Sequence, residues 1–141
     1  MDKMMNVSGR VLLALIFVMA GLGKLGPGYA ATQGYMESMG VPGGLLPLVI
    51  LLEIGAGLAL MLGWQARWVA GALALFTLVA AVIFHSNFSD QVQMVMFLKN
   101  LAISGGLLLV FVHGAGSLSM DQFLAARRSK GQSGSVPGLG V

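Results

Sequence analysis

The chain has no cysteine among its 141 residues. That excludes disulfides, iron–sulfur clusters, thiolate zinc sites and any thiol relay carried by this chain alone. It is also poor in charge. Asp, Glu, Lys and Arg make up 9% of the residues, against about 25% in soluble domains, so a water-soluble fold would lack the surface it needs. Positive charges are scattered, apart from a cluster at Arg127, Arg128 and Lys130. Nucleic acid is therefore not an expected partner. Histidine occurs twice, as His85 and His113, at opposite ends of predicted spans. That spacing fits neither a bis-histidine haem nor a histidine metal site, and no intrinsic metal or cofactor is expected.

What the chain has in plenty is apolar sequence, 57% of all residues. Four runs, at about 7–25, 44–63, 67–85 and 94–113, approach the ~20 residues needed to cross a bilayer's hydrocarbon. They do not alternate as barrel strands would, and lipid leaves backbone groups no partner outside a helix. The expected fold is all-α: an integral membrane four-helix bundle over residues 1–121, then a flexible cytoplasmic tail over 122–141. Lys3 and Arg10 ahead of the first run imitate a secretory signal, but three further runs favour a retained span.

The connections differ in character. Residues 26–43 form a long glycine-rich loop in which a short interfacial helix is expected near 30–39. Trp64, Gln65 and Ala66 suit a tight turn, residues 86–93 a polar loop, and 119–128 a short segment along the membrane. Lys3, Arg10, Arg67, Arg127, Arg128 and Lys130 fall on one side, Lys24 and Lys99 on the other. The positive-inside rule then puts both termini in the cytoplasm. Trp64 and Trp68 flank the inner turn as interfacial anchors would.

Glu53 interrupts the apolar run Leu45–Gly63. A carboxylate there costs roughly 2.5–3.5 kcal/mol on insertion scales, so it needs a partner and often has a task. It lies about 12 Å below the predicted outer end of its span, and Asn100 about 9 Å inside the fourth, at ~1.5 Å per residue. Lys24 ends the first span and His85 the third on the same side. Each helix thus offers a polar group at one depth, and Lys24, Glu53, His85 and Asn100 are the candidate ligand-binding or proton-handling residues. Lys24 is the first candidate partner for Glu53, with snorkelling to headgroups as its alternative. Arg10 is expected to snorkel towards the cytoplasmic surface, with an internal pairing as its alternative, and the ten methionines to serve as flexible apolar filler.

The order of short motifs resembles the DoxX family. These are the first-span run from Arg10 to Phe17 followed by Ala20-Gly21-Leu22-Gly23-Lys24-Leu25, and Gly40-Val41-Pro42 with Glu53-Ile54-Gly55-Ala56-Gly57. His85 before a polar loop, Phe97-Leu98-Lys99-Asn100-Leu101, and the ending Gly114 to Asp121 complete the pattern. The resemblance spans about residues 7–121. It implies a small four-helix bacterial inner-membrane protein, and relatives of that family associate with quinone-linked and oxidative-stress enzymes. The function it suggests is a quinone- or redox-linked accessory subunit, at most enzymatic together with a redox partner protein, with quinone as the cofactor it would bind. Two alternatives stay open: a non-catalytic anchor or scaffold for a partner, and a small proton-coupled transporter that would need a homo-oligomer.

Overall fold

The structure, a computed structural model, describes residues 1–133. Six helical segments make up the fold. They are α1 (Asp2–Gly23), α2 (Pro27–Ser38), α3 (Gly43–Leu62), α4 (Ala66–Phe84), α5 (Gln91–His113) and α6 (Met120–Ser133). Among the described residues there is no strand. Four helices, α1, α3, α4 and α5, are long and apolar enough to cross a membrane. Leucines such as Leu12, Leu51, Leu75 and Leu109 are exposed around their outside, the surface that lipid would cover.

The four spans pack as two antiparallel pairs, α1 with α3 and α4 with α5, set against each other. Small residues permit the first pairing. A Cβ on Gly21 of α1 would lie 2.6 Å from the Ile54 side chain and 3.2 Å from the Glu53 Cβ, so a larger residue would push α3 away. The shared core is formed by Ala14, Phe17, Leu60, Leu73, Ala74 and Leu107. Helix α3 is not uniform: it opens with a 3-10 turn and carries a π-helical turn over Leu52–Ala56. A π-turn holds one residue more than an α-turn and re-aims the side chains around it; such turns recur at functional sites. Glu53 lies inside it.

The two ends of the bundle are built differently. At the terminal end, α3 stops in a Schellman-type cap. Gly63 takes φ +72, and Trp64 N donates to Ala59 O at 2.9 Å, a geometry that glycine adopts without strain. Asp121 then caps α4 across 55 residues of sequence, its carboxylate accepting from Gln65 N at 2.7 Å and Ala66 N at 3.0 Å. At the opposite end, α2 folds back over the helices. Met36 is buried with Leu46 and Ile50, and the Tyr35 ring packs against Phe84 at 5.5 Å between centroids.

Two expectations change here. The interfacial helix begins earlier than expected, because Pro27 provides a pre-set first position. The segment expected to be a flexible tail from residue 122 is helical as far as Ser133, anchored at its start by Asp121 and containing good helix formers at Leu124, Ala125, Ala126, Arg127 and Arg128. The rest of that tail, 134–141, lies outside the described residues.

Candidate functional site

Glu53 and Lys24 form an ion pair. Lys24 Nζ donates to Glu53 Oε1 at 3.0 Å and lies 2.8 Å from Oε2. A further bond goes to Ala20 O at 3.2 Å. Two of the three ammonium protons thus have hydrogen-bond acceptors, Glu53 Oε1 and Ala20 O. The Glu53 side chain is 7% exposed and that of Lys24 is 23% exposed. The lysine therefore still reaches the edge of the bundle, while the carboxylate does not. Oε2 has its charge partner but no hydrogen bond directed at it, so one acceptor of the pair stays unsaturated.

The pair lies on the wall of a cavity of about 430 Å³ between the spans, beneath α2. Most of the wall is apolar, from Phe17, Val49, Phe76, Ile83 and Ile103. Thr32, Tyr35 and Met36 of α2 form its cover. The polar residues on the wall divide cleanly by whether they are already committed. The Thr77 hydroxyl donates to Leu73 O at 2.7 Å and that of Thr32 to Gly28 O at 2.8 Å. Tyr35 donates weakly to Phe84 O at 3.4 Å. Asn100 is different. It is 9% exposed and lines the cavity, yet its amide makes no hydrogen bond among the described residues. Such an amide carries two donors and an acceptor. Lys99, next to it, also lines the cavity; its Nζ has only the soft Met96 Sδ, at 3.3 Å.

Of the four residues singled out from sequence, Lys24, Glu53 and Asn100 share this cavity. His85 does not line it. Its Nδ1 lies 2.8 Å from Gln93 Oε1, closing the turn between α4 and α5. Lys99, judged only by its position near a span edge, belongs to the wall instead. The signal for it was present: an exposed cation one residue before the buried Asn100, eight residues into an apolar helix.

Arg10 overturns its expectation. It does not snorkel but is 2% exposed. Its Nε donates to Asn6 Oδ1 at 3.2 Å, Nη1 to Leu60 O at 3.1 Å and Met61 O at 3.0 Å, and Nη2 to Leu118 O at 2.7 Å. The guanidinium thus serves the free carbonyls at the C-terminal end of α3, where a positive charge is also favoured by the helix dipole, and ties them to the chain entering α6.

A four-helix bundle with a buried ion pair and a covered, mainly apolar cavity defines a polytopic membrane protein, and its relatives agree. Inner membrane protein YqjF of Escherichia coli (strain K12) is 54% identical over 115 residues, covering 82% of this chain and 88% of the relative. Inner membrane protein YphA of the same organism is 34% identical over 120 residues, covering 80% and 85%. The DoxX family model matches residues 6–86, and the chain belongs to the DoxX family. It is a multi-pass protein of the bacterial inner membrane. No solved structure gives a significant match.

Proposed function

We propose that this protein binds the headgroup of a quinone in the cavity beneath α2 and acts as an accessory subunit to a redox partner. One observation carries this: Asn100, a residue only 9% exposed on an apolar wall, makes no side-chain hydrogen bond among the described residues. A quinone carbonyl would accept from its NH₂, while the apolar wall would receive the ring. A membrane-soluble ligand reaches such a site through the bilayer. The Lys24–Glu53 pair supplies a fixed polar floor. Electrons come from the partner protein. Placing the terminal end in the cytoplasm, as the lysine and arginine distribution favours, sets the cavity in the outer half of the membrane.

A second reading is a scaffold for a partner protein. The self-sufficient bonding of Arg10 and of the Lys24–Glu53 pair favours it, because both would hold the bundle rigid without any ligand.

Titration of a short-tailed menaquinone or ubiquinone analogue into detergent-purified protein, followed by difference absorbance, separates the two. Saturable binding that Asn100→Leu weakens is expected. Absence of saturable binding, with partner capture in mild detergent intact, would leave only the scaffold.

A further inference from the structure

We infer that the cavity selects an acidic, anionic headgroup over a neutral one, and that Lys99 is the residue that makes this choice. The inference rests on the cavity being a ligand site and adds the chemical class of what enters it.

It follows from counting charge and hydrogen-bonding capacity on the wall. Three charged side chains line the cavity: Lys24, Glu53 and Lys99. Lys24 and Glu53 neutralise one another at 2.8 Å, and Lys24 also donates to Ala20 O. The net positive charge left over belongs to Lys99. Its ammonium touches only a thioether sulfur, a weak acceptor that leaves its other donors unused. The charge complement therefore calls for one negative charge from the occupant. Charge-assisted hydrogen bonds are about twice as strong as neutral ones.

The arrangement also specifies shape. Lys99 and Asn100 are consecutive on α5 and both line the cavity, Asn100 from the buried side and Lys99 from the exposed rim. A headgroup with two neighbouring oxygens, one ionised and one a carbonyl or its equivalent, satisfies the ammonium and the amide together. An ionised hydroxyquinone has that pattern, and so does a carboxylate on an apolar tail. A neutral quinone satisfies Asn100 alone.

The test uses the full-length protein in non-ionic detergent with a matched pair of probes. One is a 2-hydroxy-3-alkyl-1,4-naphthoquinone, ionised at neutral pH; the other is its methyl ether, with the same ring and tail but no charge. A long-chain alkyl carboxylate is the third probe, read by competition. The hydroxy compound is expected to bind about ten-fold more tightly than the ether. Lys99→Met should abolish that ratio, Lys99→Arg should keep it, and both should retain the wild-type melting temperature because Lys99 is exposed. Equal binding of hydroxy compound and ether would overturn the charge selectivity while leaving the quinone reading intact. Binding of the carboxylate but of neither quinone would uphold the acidic headgroup and overturn the quinone. Binding of none of the three would overturn both.

Discussion

The two ends of this bundle each hold a cation against the helices, buried at one end and half-buried at the other, and they treat it differently. At the terminal end, Arg10 spends its donors on Asn6 and on the carbonyls of Leu60, Met61 and Leu118. At the α2 end, Lys24 is equally well served by Glu53 and Ala20, but it stands beside an amide and a second ammonium that have almost nothing to bond. The first end is a finished structural joint. The second holds an ion pair with one carboxylate oxygen unbonded, next to further polar capacity on a mainly apolar wall. A structural role accounts for Arg10 completely and for most of the Lys24–Glu53 pair. It does not account for Asn100, whose amide makes no hydrogen bond among the described residues.

The largest effect that can sharpen this contrast is at the ion pair. Lys24→Met leaves the Glu53 carboxylate buried without a counter-charge and is expected to cost about 3–5 kcal/mol, read as a collapse of the thermal midpoint in detergent. Glu53→Gln should cost distinctly less, because Lys24 retains a path to the bundle edge. The double variant should regain part of the Lys24→Met loss, since two neutral groups replace two charges. Arg10→Met comes next, at about 3 kcal/mol, because three carbonyls lose their donor at about 1 kcal/mol each. Its signature should be local as well: limited proteolysis near residue 118 should speed up while ligand binding persists. The smallest effect is at His85. His85→Ala removes one hydrogen bond to Gln93 and should cost about 1 kcal/mol or less, with ligand affinity unchanged. A large loss of affinity there would show that the wall extends further than the geometry indicates.

Much of the architecture was readable from the residues, because lipid allows few solutions. Four apolar runs of span length had to be helices, and their ends fell within a few residues of those observed. Glu53 and Asn100 stood out because each is polar within such a run, and Lys24 was a reachable partner. What escaped detection depended on rotation and on distant chain segments. His85 and Lys99 exchanged roles because hydropathy gives depth along a helix but only weakly the direction a residue faces at a span edge. Arg10 was misjudged because its carbonyl acceptors lie 50 to 108 residues away, at a helix end whose free carbonyls no local pattern advertises. The π-turn at Leu52–Ala56 has no sequence signature comparable to a cap or a proline, although the Glu53 placement depends on it. The helix from Met120 was hidden because its anchor, Asp121, bonds to a turn 55 residues earlier.

The central claim is that Asn100 is held unpartnered for a ligand. Asn100→Leu, similar in size and free of unmet hydrogen bonds, tests it when thermal unfolding and quinone titration are run on the same preparation. The account predicts a melting temperature that is unchanged or raised, together with an affinity about ten-fold weaker, the loss of roughly one good hydrogen bond. A lowered melting temperature with undiminished affinity would contradict it and make Asn100 part of the scaffold.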